Sequence, residues 1–170
     1  MSNIPKTTDF LVIGAGVIGI NLALQLKQRH PDATVTAIDK ENACGAHASG
    51  RNSGVLHAGF YYTADSMKAR FTREGNRLLT EYCLERNLSI NRCGKLVVAQ
   101  DETELEGLSE LLRRGQVNGV ELEEITAKEA REIEPRVKTV ERALFSPTTS
   151  SVDPVEILSA LEQDAQACLL

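Results

Sequence analysis

Three glycines at fixed spacing, Gly14-Ala-Gly16-Val17-Ile18-Gly19, and an aspartate twenty residues beyond the last of them, Asp39, are the residues whose types and order suit a chemistry. The pattern G-x-G-x-x-G suits a pyrophosphate. Gly14 permits a tight turn, Gly16 lets phosphates approach the backbone, and Gly19 lets a helix pack close to a sheet. Unpaired N–H groups at the helix start, around Val17 and Ile18, together with the positive end of the helix dipole, favour an anion there. A carboxylate at Asp39 accepts hydrogen bonds from ribose hydroxyls and disfavours a 2′-phosphate, which argues against NADP. Glycine triplets also occur in ordinary turns, so the surrounding elements decide between the two readings.

Those elements have the required form. Residues 10–13, Phe-Leu-Val-Ile, are a short apolar run of the kind buried on both faces of a parallel sheet. A helix is expected over residues 17–30, ended by Pro31, and a β-branched strand over 34–39. Strand, glycine turn, helix and strand make a βαβ unit with the acidic residue at the end of its second strand. Residues 43–54, ACGAHASGRNSG, then form a small, polar loop without periodicity. NAD and FAD share the fingerprint. A nicotinamide enzyme usually proceeds from here into a regular helix, whereas a flavin enzyme uses such a loop to wrap the pyrophosphate, so the pattern leans toward FAD without deciding it.

Further along, residues 65–86 predict a long amphipathic helix with Met67, Phe71, Leu78, Leu79, Tyr82 and Cys83 on its apolar face. A strand is expected over 95–99, a helix from Leu105 to about Gly115, and short strands over 122–125 and 143–145. Thr126 and Glu129 form a capping box for a short helix stopped by Pro135. Asp153, Pro154 and Glu156 mark the start of a last helix. The chain ends at Leu170 with no strand to continue a doubly wound sheet, so it reads as the first part of a larger protein.

Composition narrows the alternatives. With 19 Lys+Arg against 24 Asp+Glu, no basic block and only 4% aromatics, the chain lacks the surface of a nucleic-acid binder. Its four cysteines, Cys44, Cys83, Cys93 and Cys168, have no zinc spacing, so no metal is expected. The apolar segment 10–26 resembles a membrane anchor, but Asn21, Gln25 and the glycines interrupt it. The expectation is a cytoplasmic protein without a transmembrane segment, with peripheral contact at the inner face of a membrane left open.

The runs SGRNSGVLHAGFYY (49–62), CGKLVVA (93–99) and VDP (152–154) resemble the D-amino-acid-oxidase superfamily of FAD-dependent oxidoreductases, and within it most the L-2-hydroxyglutarate oxidases and dehydrogenases. The resemblance covers nearly the whole chain, while members are more than twice as long. It implies an α/β fold: a Rossmann-like FAD-binding βαβ unit plus the start of an α+β substrate domain, truncated. The implied boundaries are 1–86 for the first FAD-binding segment, 87–150 for part of the substrate domain, and 151–170 for a helix returning to the FAD-binding domain.

By the same resemblance, Gly14, Gly16, Val17, Ile18, Gly19, Asp39 and Lys40 hold the adenosine and pyrophosphate end. Ser49, Gly50, Arg51, Asn52 and Ser53 lie along the pyrophosphate and flavin. Some relatives attach FAD through a histidine near the start of this segment. Arg51 stands there, which implies non-covalent FAD. The implied activity is hydride transfer from a 2-hydroxy acid to flavin, with oxygen or a quinone as electron acceptor. His57 then suits removal of the hydroxyl proton, because an imidazole near neutrality accepts one readily. A packed histidine bonded to backbone is the competing reading. Tyr61 and Tyr62 are candidates to bind a substrate carboxylate, though aromatics are equally at home in a core. A dicarboxylate would call for an arginine such as Arg51, Arg70 or Arg73, with solvation the expected role of the last two. An amino-acid or amine oxidase of the same superfamily, an NAD-dependent dehydrogenase and an inactive truncated product are the alternatives.

Overall fold

A computed structural model describes residues 5–169. The chain divides into two compact units: residues up to Gly54 with those from Asp153 onward, and Val55–Val152.

In the first unit, β1 (Phe10–Ile13) and β2 (Val35–Ile38) pair in parallel, Phe10 opposite Val35 and Ile13 opposite Ile38. Parallel pairing needs a crossover, and α1 (Val17–Arg29) supplies it. The ladder starts at a reciprocal clasp: Asp9 Oδ2 accepts from Thr34 N at 2.8 Å and Thr34 Oγ1 at 2.7 Å. At the far end of α1, Lys27 Nζ donates to the carbonyls of Pro31 and Ala33, closing the turn into β2. Val12, Ile20, Ala23 and Leu24 bury one side of this βαβ unit. The last helix of the chain, which in element order is α5 (Pro154–Leu169), packs on α1 and buries Ile157, Leu158 and Leu161.

The second unit contains two antiparallel sheets. Strands β3 (Val55–Leu56) and β4 (Ile90–Asn91) flank β8 (Ser150–Val152). Strands β5 (Lys95–Val98) and β6 (Glu123–Thr126) flank β7 (Arg142–Ser146). As the central strand, β7 buries Ala143, Leu144 and Ser146. Helices α2 (Met67–Glu85), α3 (Leu105–Val117) and α4 (Ala127–Ile133) complete the unit. The capping box forms as expected: Glu129 N–H donates to Thr126 Oγ1, and Thr126 N–H donates to the Glu129 carboxylate at 2.7 Å.

The division between compact units falls at Gly54, whereas the expected first FAD-binding segment runs to residue 86. Helix α2 belongs to the second unit because Asn76 on it bonds to the carbonyls of Leu56, His57 and Thr148. The buried face of α2 is also a different one. Ala69, Asn76 and Cys83 point inward, while Met67, Phe71 and Leu78 are more than half exposed. Counting apolar side chains misses a stripe whose middle member is an asparagine needed for its two donors.

Candidate functional site

The first unit carries a cradle built on the β1–α1 turn. Gly14 adopts φ +107°, a conformation that only glycine enters cheaply, and its N–H donates to Ile38 O at 2.7 Å. Gly16 is the N-cap of α1 and has no side chain with which to cap it. The loop supplies the partner instead: Ser49 Oγ accepts the Val17 N–H at 3.0 Å. A Cβ on Gly16 would stand 3.0 Å from that hydroxyl, so the position is bare because the loop lies close above it. Gly19 is bare for another reason. A Cβ there would sit 1.8 Å from Gly14 O, so the helix could not reach the turn.

The 43–54 loop is not a slack connector. Gly45 N–H donates to Ala15 O at 3.0 Å, and Gly50 N–H donates to Gly45 O at 3.2 Å. A single turn of 3-10 helix spans Ala48–Gly50. Asn52 ties it off, donating to the carbonyls of Ala48 and Ser49 and accepting from Gly54 N–H. Gly45 has φ +61°, and a Cβ on it would lie 1.8 Å from the Leu158 side chain, so α5 presses directly on the loop.

Turn and loop together border a cleft of about 620 Å³, lined by Ile13, Gly14, Gly16, Val17, Ser49 and Asn52 among others. Ile18 and Gly19 lie on the same wall, with Ile18 81% exposed. Arg51 and Ser53 are exposed at the loop's end.

Asp39 stands at the end of β2, and its carboxylate is already engaged. One oxygen accepts from Ala15 N–H at 2.6 Å and the other from Glu41 N–H at 2.9 Å. These donors, Glu41 first and Ala15 second, hold the carboxyl below the usual aspartate range. The ribose-binding role expected from sequence therefore needs extending: the same carboxylate fixes the glycine turn, and its remaining lone pairs face solvent. Lys40 is exposed and pairs with Glu41 at 3.5 Å.

The second unit carries the other expected residues on a strap, residues 57–65. Phe60 is buried and anchors it. Two buried asparagines hold its backbone. Asn76 Nδ2 donates to Leu56 O at 3.1 Å and His57 O at 3.3 Å. Asn118 Nδ2 donates to Gly59 O and Tyr62 O, and its Oδ1 accepts from Asp65 N–H. Arg73 Nη1 in turn donates to Asn118 O at 2.7 Å, so Arg73, although exposed, braces the strap as well. Arg114 donates to Tyr61 O at 3.1 Å.

His57 projects from this braced backbone with an exposed ring. Partial burial and, secondarily, the Lys95 ammonium hold its pKa below the ordinary histidine value, which favours the neutral ring. The Tyr61 ring stacks on Phe60 at 4.4 Å between centroids, and Lys95 Nζ lies 4.6 Å from the Tyr61 centroid. Tyr62 carries Lys68 Nζ at 4.4 Å. Among the described residues no group of three or more His, Cys, Asp or Glu is placed to hold a metal, and no helix is long and apolar enough to cross a membrane.

Sequence reading missed Asn76, Asn118, Gly45 and Lys95. Asn76 has a visible signal, as a polar residue seven positions from both Ala69 and Cys83. Asn118 looks like an ordinary helix end before Gly119, and nothing local announces its long-range bonds.

Glycine turn, anchored loop and acidic strand end define a dinucleotide-binding protein, and residues 9–167 match the family described as FAD dependent oxidoreductase, to which the chain belongs. Among curated relatives, an L-2-hydroxyglutarate dehydrogenase of Escherichia coli O17:K52:H18 is 40% identical over 159 residues, covering 94% of this chain and 37% of the relative. The mitochondrial L-2-hydroxyglutarate dehydrogenase of Homo sapiens is 35% identical, covering 93% of this chain and 34% of its own length. The chain thus spans little more than a third of these relatives. Among solved structures, the L-alpha-glycerophosphate oxidase of Mycoplasma pneumoniae with FAD bound superposes with a TM-score of 0.87 at 28% identity, over 97% of this chain and 44% of that one. FAD is the family's cofactor, and the cradle fits it: a bare Gly16 at the start of α1, a loop held close over it by Ser49, and a cleft of about 620 Å³ along both.

Proposed function

We propose that this chain is the part of an L-2-hydroxyglutarate-oxidising flavoenzyme that holds the pyrophosphate of FAD and presents the proton-accepting histidine. The observation that carries the reading is the braced strap bearing His57, in a chain whose curated relatives bear that enzyme name. FAD, when bound, supplies the hydride acceptor for oxidation of the hydroxyl-bearing carbon.

In the first unit, Gly14, Gly16 and Gly19 admit the pyrophosphate to the α1 N-terminus. The Val17 and Ile18 end of that helix provides the positive dipole. Asp39 keeps the turn in shape and offers its free lone pairs to a ribose, with Lys40 beside it. Ser49, Gly50, Asn52 and Ser53 cover the phosphates from the loop side. Arg51 offers no nucleophile for a covalent flavin link, so the cofactor is held non-covalently. In the second unit, a neutral His57 ring nitrogen accepts the substrate hydroxyl proton, and Asn76 keeps the residue in place through its carbonyl. Tyr61 and Tyr62 flank it as donors to a carboxylate. Oxygen or a quinone takes the electrons onward, and the protein works in the cytoplasm.

Purified protein should be yellow, with absorbance near ~450 nm from bound flavin. Acid precipitation should release the colour to the supernatant, and anaerobic L-2-hydroxyglutarate should bleach it. Colour retained in the pellet refutes non-covalent attachment. A flavin bleached by other acids but not by L-2-hydroxyglutarate refutes the substrate.

A further inference from the structure

The second unit is rich in cations, and most of those near the strap are already committed. Arg73 is spent on the Asn118 carbonyl. Arg77 bridges Glu74 and Glu81 at 2.6 and 2.7 Å. Arg114 is divided between Glu110 and the Tyr61 carbonyl.

Lys95 differs. It is half-buried, yet among the described residues its ammonium makes neither an ion pair nor a hydrogen bond, and its one close partner is the face of Tyr61. Its stem is partly covered while its charge meets only an aromatic face, so a carboxylate arriving there finds a cation with no competing anion among the described residues.

The backbone holds Lys95 deliberately at this place. Gly94 precedes it with φ +71°, and a Cβ on Gly94 would fall 2.4 Å from the Phe145 ring. Only glycine lets the chain enter β5 over that ring, and the first residue it delivers is Lys95, paired opposite Ser146. On the strap side, Tyr61 is held by Phe60 beneath its ring and by Arg114 at its carbonyl. A fixed cation, a fixed phenol and the one imidazole of this unit, His57, therefore share one neighbourhood.

We propose that Lys95, seated on Tyr61, is the receptor for a carboxylate of a short 2-hydroxy acid, and that it sets the substrate's hydroxyl toward His57. This rests on the functional reading above and adds a residue that it lacks. The arginines offered by the sequence for this role are replaced by a lysine. An ammonium on a rigid aromatic seat accepts a carboxylate as a point charge rather than as a two-pronged clamp, so the site tolerates carboxylates presented at different angles. Specificity then comes from the distance to His57.

The test is a binding titration of the full 170-residue chain, labelled at histidine, with L-2-hydroxyglutarate, its non-hydroxylated analogue glutarate, and neutral glycerol. The His57 ring resonances report occupancy without any turnover. Both acids should shift them saturably and glycerol should not. Lys95→Met and Lys95→Gln should weaken binding about tenfold or more, the loss expected for one charge-assisted hydrogen bond. Lys95→Arg should keep affinity within about threefold, which also guards against a variant that merely fails to fold. Equal affinity in wild type, Lys95→Met and Lys95→Gln overturns the assignment to Lys95 while leaving the substrate class intact. Failure of either acid to move His57 overturns it as well, and the flavin-bleaching measurement then judges the oxidation separately.

Discussion

Removing the Asn76 side-chain amide should loosen His57 and destabilise the second unit together. Its Nδ2 faces three carbonyls, Thr148 at 3.0 Å, Leu56 at 3.1 Å and His57 at 3.3 Å. An amide nitrogen has two protons, so two full hydrogen bonds form, with the third acceptor sharing. At about 1 kcal/mol net each, the pair contributes about 2 kcal/mol, and a carbonyl left buried and unpaired adds about 1–3 kcal/mol. Alanine returns roughly half a kcal/mol through better helix propensity. The expected cost of Asn76→Ala is therefore about 2.5–4.5 kcal/mol. For a unit of this size that is a fall in melting temperature of about 10–20 °C. Asn76→Asp keeps the shape but turns an oxygen toward three oxygens, so at pH 7 it should be the less stable of the two. Urea denaturation gives the free energies, and the His57 ring resonances should broaden in Asn76→Ala well below its unfolding transition. An alanine variant within about 0.5 kcal/mol of wild type, or an aspartate variant more stable than the alanine one, would refute the donor role.

Gly16→Val should abolish flavin retention while leaving thermal stability close to wild type, because the added atoms meet only Ser49 Oγ and the cleft. Gly19→Ala should do the reverse of a clean binding defect: its Cβ strikes the Gly14 carbonyl, so stability should fall by about 1–3 kcal/mol, read by chemical denaturation. Because Glu41 and Ala15 hold the Asp39 carboxyl below its usual value, its contribution is complete above about pH 4 and is lost as pH falls through the lower folded value. The Ala15 amide resonance should thus stay constant from pH 7 to about pH 4 and move only below it. His57 is displaced in the same downward direction by burial and by Lys95, so its neutral ring favours the folded state above about pH 6.5 and that contribution fades as pH drops toward the folded value. In Lys95→Met the midpoint of the His57 titration, followed by NMR, should rise.

Much of the first unit was legible because its signals are local. A short apolar strand, a glycine turn, a helix stopped at Pro31 and a β-branched strand each occupy a few consecutive residues, and helix α1 and strand β2 form within a residue of their expected ends. The loop was legible as a loop, but not its anchoring on Ala15 and its fit beneath Leu158, since those contacts join residues far apart in the chain. The second unit was harder. Strands β3, β4 and β8 are two or three residues long, too short for any periodicity, and exist because β8 runs between the other two. The strap's residues were visible as His57, Tyr61 and Tyr62, whereas the side chains that hold its backbone, Asn76 in α2 and Asn118 just past the end of α3, lie 19 and 59 residues from the His57 and Gly59 carbonyls they bind.

The pairing of β3 with β8 has a thermodynamic side. Val55, where the second unit begins, lies opposite Ser151, one residue before it ends, so the two ends of this insertion are hydrogen-bonded neighbours. Seen from the first unit, nearly a hundred residues then behave as a connection only a few residues long. Closing a flexible loop of that length would cost roughly 3 kcal/mol more than closing one of about four residues, and the β3–β8 ladder removes most of that difference once the second unit has folded. The same closure makes the insertion exchangeable, since any module that brings its ends together in this way leaves the chain entropy of its host nearly unchanged.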